Sequence, residues 1–216
     1  MNPAKWSNDD VWAAIAQART DLVALLEQLD EPEWDVDSLC EGWRVRDVAT
    51  HIALGPTLAP LTEIGELIRA RGDFNRMVHD TAVARANRPP TELIDELRKV
   101  ITSHKRPPGT AIYDPLVDIL VHTQDIAIPL GRTVEIPTPA AHVAAWQVWR
   151  RSFPYGAQKR LDGLRVTATD VDFAWGTGPL VRGPIAAVLL VGSGRAAGLD
   201  ALSGAGVPLL RYRLEG

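Results

Sequence analysis

Asp118 and His122 stand four residues apart in VDILVHTQDI. On a helix that spacing lays both side chains over the same surface, where a carboxylate oxygen and an imidazole nitrogen can meet one ion. Val117, Ile119, Leu120 and Val121 surround the pair, so both side chains are expected to face a bundle interior. A carboxylate buried there needs a cation or several hydrogen bonds. His51 has the same character, with Val48 and Ala49 before it and Ile52 and Ala53 after it. Helix bundles build metal sites from facing helices. His51, Asp118 and His122 together make a two-histidine, one-carboxylate set that leaves a coordination position open, as catalytic zinc sites do. Asp125, three residues beyond His122, is placed to take the other imidazole proton or to cap a backbone group. The competing reading of the same spacing is an ordinary hydrogen-bonded Asp–His pair.

The other chemistry-bearing residues are less promising. His104 precedes Lys105 and Arg106 and reads as exposed, while His79 and His142 read as peripheral. Cys40 is the single cysteine, which excludes an internal disulfide and any thiolate-rich zinc or iron–sulfur arrangement within one chain. Its neighbours Asp37 and Glu41 disfavour a thiolate, so Cys40 is not expected to be a nucleophile. Any thiol chemistry then needs a thiol from outside. Trp43 is expected to staple the start of the helix behind it. Trp146 and Trp149 form a stripe suited to core or interface, and Trp175 to packing of a small domain. Gly192, Gly194 and Gly198 are followed by no lysine–serine pair and make no phosphate loop.

The elements that must position these residues are mostly helical. Ser7 caps a first helix reaching about Gln28, with Asp10 as its reciprocal partner and Val11, Ile15, Leu22 and Leu26 on its apolar face. DEPEWDVDSLCEGW reads as a polar loop. Helices are then expected from Arg44 to Pro56, Leu61 to Gly72, Phe74 to Ala86, Glu92 to Thr102, Pro115 to Ile128, and from Thr138 toward Phe153. Beyond residue 156 the texture changes: LRVTATD alternates as a strand, DFAWGTGPLV reads as a second, GPIAAVLLVG and AAGLDALSG as short helices, and PLLRYRL as a terminal strand. The division expected from this is a helix bundle over residues 1–155 and a small α+β domain over residues 156–216.

Length and composition set the outer bounds. A chain of 216 residues with 46% hydrophobic and 23% charged residues can build a sizeable core, which excludes wholesale disorder. With 23 basic against 27 acidic residues the net charge is −4, which argues against nucleic-acid binding by bulk electrostatics. Nine acidic and two basic side chains fall within the first 40 residues, a pattern that reads as a solvated surface. The longest apolar run, Ile185 to Val191, is far short of the roughly 20 residues a membrane crossing needs. MNPAKWSNDD carries no apolar stretch of the signal-peptide kind. The expectation is a soluble cytoplasmic protein, monomer or homodimer, with no nucleic-acid or membrane partner.

Two segments carry a resemblance. EGWRVRDVATHIA resembles the Trp-x-Val-x-Asp-Val-x-x-His segment of the mycothiol-dependent maleylpyruvate isomerase family, a branch of the DinB-like superfamily. VDILVHTQDIAIPLGR is similar to that family's second motif, a glutamate, three residues, His-Gly-x-Asp and then Leu-Gly. The tail from LRVTATDVDFAW through GPIAAVLLVGSGRAAGLDALSG resembles the small C-terminal domain of the same proteins. The resemblance implies a DinB-like up-down-down-up four-helix bundle followed by a small C-terminal α+β domain. It implies a divalent metal, typically Zn2+, on His51, Asp118 and His122, with Asp118 where the family usually has glutamate and Thr123 where it usually has glycine. It further implies mycothiol or another low-molecular-weight thiol as cofactor, a small electrophilic substrate, and isomerisation or S-transfer. Arg195, matching the family's Gly-Arg before the final helix, becomes the candidate for binding carboxylates of thiol or substrate, with Arg150 and Arg151 behind it. A non-catalytic metal-binding bundle with a regulatory or structural role, and a metal-assisted hydrolase with Asp125 as base, are the alternatives.

Overall fold

Apolar residues at helical spacing dominate the first 134 residues, and they form helices there. In the computed structural model, which describes residues 6–57, 74–107 and 109–216, α1 spans Asn8–Leu26, α2 Val45–Leu54, α3 Phe74–Ala86, α4 Pro90–Val100 and α5 Asp114–Ala127. The helix expected between Leu61 and Gly72 lies outside the described residues. Packing divides the chain into two compact units, Asn8–Val134 and a C-terminal unit that includes Glu135–Gly216. Within the first, α1 and α2 each pack on both α4 and α5, closing a four-helix bundle, and α3 packs on α2. Ile15 and Leu22 of α1, Val48 and Ile52 of α2, Leu93 and Leu97 of α4, and Leu116 and Ile119 of α5 are at most 4% exposed. Each such side chain contributes roughly 1.5–3 kcal/mol by leaving water.

One cation is buried with them. Arg19 of α1 is 4% exposed. Its guanidinium donates to the carbonyls of Val100 at 2.6 Å and Ser103 at 2.9 Å. Those carbonyls close the end of α4, where backbone acceptors run out of helical partners and the helix dipole is negative. Burial pushes the Arg19 guanidinium below its usual value, and Asp118 opposes that shift.

The connection from α1 to α2 is ordered by its own polar groups. Glu31–Asp35 is a 3₁₀ turn, and Asp37 and Arg44 form an isolated antiparallel bridge. At the start of α2 the backbone N–H of Arg44 donates to the Asp47 carboxylate at 2.8 Å, and the Arg44 guanidinium pairs with the same carboxylate at 3.0 Å. Asp47, 1% exposed, therefore fixes the beginning of the helix that carries His51.

In the C-terminal unit, α6 (Thr138–Arg150) packs on α8 (Ile185–Gly192), and the short α7 (Ala157–Arg160) contacts both. Trp146 and Trp149 meet Phe173 edge-on at 5.1 and 5.2 Å, with Trp175 also against Trp146. The sheet is mixed, in the order β2-β1-β3, where β1 is Arg165–Ala168, β2 Ala174–Trp175 and β3 Leu180–Gly183. β1 runs antiparallel to β2 and parallel to β3. DFAWGTGPLV thus supplies parts of two strands, broken between Trp175 and Leu180, where one strand was expected. The terminal PLLRYRL corrects the expectation more strongly: Val207–Glu215 is a helix, α9. Pro208 sits in its first turn, where a missing N–H costs nothing, and Arg211 pairs with Glu215 one turn on at 2.9 Å. The outer side of β3 is already paired, by two backbone hydrogen bonds between Arg182 and Ser203. Among the described residues no helix is long and apolar enough to cross a membrane.

Candidate metal centre

The first unit brings His51, Asp118 and His122 together. Asp118 and His122 follow one another by a turn on α5, and His51 reaches them from α2, which packs on α5. His51 Nε2 lies 3.2 Å from Asp118 Oδ1, and His122 Nε2 lies 3.5 Å from the same oxygen. The two imidazole rings meet edge-on with centroids 4.9 Å apart. Two atoms bonded to one zinc at about 2.0–2.1 Å in tetrahedral geometry stand roughly 3.3 Å apart. The two separations from Asp118 Oδ1 straddle that value, and all three ligand atoms lie within 4.8 Å of one another, so the donor set could hold a shared divalent cation.

The cluster is half-buried, less enclosed than the apolar residues that flank it in sequence. The Asp118 side chain is 41% exposed, against 21% for His51 and 15% for His122. Flanking residues one position away on a helix point elsewhere, so Leu116, Ile119 and Leu120 fill the core while Asp118 does not follow them. Desolvation pushes the Asp118 carboxyl up, but His51, His122 and Arg19 outweigh it and hold the group down to about 2. Asp118 is accordingly a carboxylate throughout the physiological range.

Behind the cluster a second set of contacts holds His122. Its Nδ1 lies 2.8 Å from Asp125 Oδ2, a hydrogen-bond distance, and Asp125 is fully buried. With the Nδ1 proton given to Asp125, Nε2 carries the lone pair that faces Asp118. The loop before α2 closes over this pair. The Leu39 N–H donates to the Asp125 carbonyl at 3.0 Å, and Cys40 Sγ donates to Asp125 Oδ2 at 3.1 Å. Gly42 turns the loop at φ +76°, a left-handed conformation that suits glycine.

Trp43 does more than staple a helix start. It is 7% exposed, and its ring lies 5.2 Å from that of His51 and 6.2 Å from those of His122 and His79. His79, expected to be peripheral, therefore reaches the tryptophan that walls the cluster, although it pairs with Asp80 and not with the ligand set. Thr123, where the resembling family usually has glycine, turns its hydroxyl back onto the Ile119 carbonyl at 2.7 Å. His104 stacks on Trp12. Arg195 belongs to the C-terminal unit, where its guanidinium donates to the Ser193 carbonyl at 2.6 Å.

The sequence comparison fits this geometry: residues 15–106 match the family model of the mycothiol maleylpyruvate isomerase N-terminal domain. That match lies within the helical unit. Among solved structures, the chain is similar to the crystal structure of the mycothiol-dependent maleylpyruvate isomerase, at 13% identity, a TM-score of 0.66 and 93% coverage of both chains. A histidine-to-alanine variant of that enzyme gives the same TM-score and coverage at 12% identity. At such identity the likeness is one of fold. Among curated protein sequences none matches. Family and donor set together support a metal-dependent enzyme of this family.

Proposed function

We propose that this protein is a metal-dependent enzyme that uses a low-molecular-weight thiol, mycothiol or a relative of it, for isomerisation or S-transfer on a small electrophile. The observation that supports this most is the gathering of His51, Asp118 and His122 ligand atoms within 4.8 Å, with both histidine nitrogens 3.2–3.5 Å from one carboxylate oxygen that keeps some access to solvent. A divalent ion held there lowers the pKa of an arriving thiol and so supplies a nucleophile near neutral pH. The chain's own residues do the rest. His122 presents Nε2 because Asp125 holds its other proton, Asp118 supplies negative charge, and Trp43 limits water on one flank.

Arg195 is assigned the carboxylates of thiol or substrate, on its resemblance to the family's Gly-Arg. The similar enzyme's own dependence on mycothiol is what makes a thiol the preferred nucleophile. Hydrolysis is the weaker alternative, because Asp125 is fully buried. Its Oδ2 is engaged by both His122 and Cys40, so it is not available to an incoming water.

Metal analysis of untagged protein tests the first half of the proposal. Wild type is expected to hold close to one divalent ion per chain, and His51→Ala and His122→Ala to lose it. Unchanged metal content in both variants would sink the site. The second half is read from the cobalt-substituted protein: added thiol should change the visible spectrum and release a proton. A spectrum indifferent to thiol argues for the non-catalytic or hydrolytic reading.

A further inference from the structure

Cys40, His122 and Asp125 form a second group of ligand-type atoms within 4.8 Å of one another. Its distances distinguish it from the first. His122 Nδ1 to Asp125 Oδ2 is 2.8 Å and Cys40 Sγ to Asp125 Oδ2 is 3.1 Å. Atoms sharing a tetrahedral zinc stand roughly 3.3–3.5 Å apart once the longer zinc–sulfur bond is included. Both contacts of Asp125 Oδ2 are hydrogen-bond separations, shorter than a shared ion imposes, while Cys40 Sγ and His122 Nδ1 stand 3.6 Å apart, and Asp125 is sealed from solvent. The group is held together through the Asp125 carboxylate.

We infer that Cys40 is a positioning residue: its thiol donates to Asp125 and thereby fixes the tautomer in which His122 offers Nε2 to the metal centre. The functional half of this inference rests on the metal-centre reading above. The argument runs from satisfaction of a buried carboxylate. Asp125 Oδ2 accepts from two donors, His122 Nδ1–H and Cys40 S–H. A buried carboxylate stripped of one donor is costly, and the relief open to it is to rotate toward another donor, which takes Oδ2 away from His122 Nδ1. That rotation frees the Nδ1 proton and with it the choice of ring nitrogen that faces Asp118 from 3.5 Å. The Leu39 N–H on the Asp125 carbonyl and the Ser38 hydroxyl, which accepts the Cys40 N–H at 3.1 Å, hold the thiol in place. The group thus ties the loop before α2 to the last turns of α5, 85 residues away in sequence. Cys40 is in this account neither nucleophile nor ligand.

Full-length Cys40→Ala and Cys40→Ser separate a donor role from simple packing. Two readouts are needed. The first is the imidazole 15N spectrum of the metal-free protein, which reports the His122 tautomer. The second is the cobalt and zinc dissociation constant by competition with a chromophoric chelator. Cys40→Ala is expected to mix the His122 tautomers and weaken metal binding about 3- to 10-fold, somewhat less than loss of a direct outer partner. Cys40→Ser, which keeps a donor, is expected to hold the wild-type tautomer and an affinity within about 2-fold. If alanine leaves both readouts at wild type, or serine falls as far as alanine, the positioning role is overturned. A tautomer that responds in a protein binding no metal would keep the positioning role and discard the metal centre. Metal binding with no response to either substitution would do the reverse.

Discussion

Asp118 occupies the position where the resembling family carries glutamate, and the geometry predicts what restoring the longer side chain does. The Asp118 oxygen already lies 3.2 and 3.5 Å from the two imidazole nitrogens, close to the roughly 3.3 Å that a shared zinc imposes. Glutamate adds one carbon–carbon bond of about 1.5 Å, so along the same rotamer its carboxylate overshoots. Bringing it back requires an off-rotamer side chain at a cost of about 0.5–1.5 kcal/mol. Asp118→Glu is therefore expected to raise the zinc dissociation constant about 2- to 10-fold. Asp118→Ala, which removes ligand and charge together, should raise it on the order of 100-fold or more, beyond what loss of an outer-sphere partner does. The assay is competition against a chromophoric chelator, with far-ultraviolet circular dichroism to show that both variants fold. An Asp118→Glu protein that binds tenfold tighter than wild type would refute the reasoning. It would mean that the metal-bound separations differ from the observed ones and that the helices move apart on binding.

Two further outcomes follow from the buried and charged groups of the same unit. Arg19→Met removes a charged donor from the Val100 and Ser103 carbonyls at the end of α4; bonds of this kind contribute about 1.5–3 kcal/mol each. Relief of the arginine's own desolvation offsets part of that, leaving a loss of about 2–4 kcal/mol, read as a lower urea midpoint at unchanged slope. A change below about 1 kcal/mol would show that water takes over the cap. In metal-free protein, the Asp118 carboxyl at about 2 lies below its ordinary value of 3.8, so its stabilising effect is complete above that value and is lost as pH falls toward 2. The shift sets a ceiling of about 2.5 kcal/mol, and with the side chain 41% exposed solvent screening reduces this to about 1 kcal/mol. Asp118→Asn should flatten the acid limb of the stability curve between pH 4 and pH 2 by that amount, and an unaltered limb would contradict the assignment.

How far the site was legible depends on whether its partners are joined by local spacing. Asp118 and His122 are one helical turn apart, so their meeting on one surface follows from α-helical geometry alone. Asp125 sits at the next such interval from His122, and its hydrogen bond was likewise among the readings the spacing allowed. His51 required only that α2 neighbour α5. Burial was harder to read: Asp118 is flanked in sequence by core residues, yet its own azimuth on the helix leaves it only half-buried. PLLRYRL failed for a related reason. Its alternation is compatible with a strand, but paired Arg182 and Ser203 fill the β3 edge, and no periodicity within seven residues can show that.

Cys40 marks the limit of reading charge along the chain. Asp37 and Glu41 flank it in sequence and argue against a thiolate, and the fold supplies a stronger version of the same argument. Its actual neighbour is Asp125, which accepts the thiol proton from 3.1 Å. In that contact the sulfur is the donor and the carboxylate the acceptor. The acidic surroundings that disqualify Cys40 as a nucleophile thus equip it to hold Asp125. This also separates the protein's own sulfur from any that enters: one is kept as S–H behind His122, while a thiol at the proposed metal centre must lose its proton to react. A chain with a single cysteine can in this way place sulfur beside its own histidine without competing with an incoming thiol.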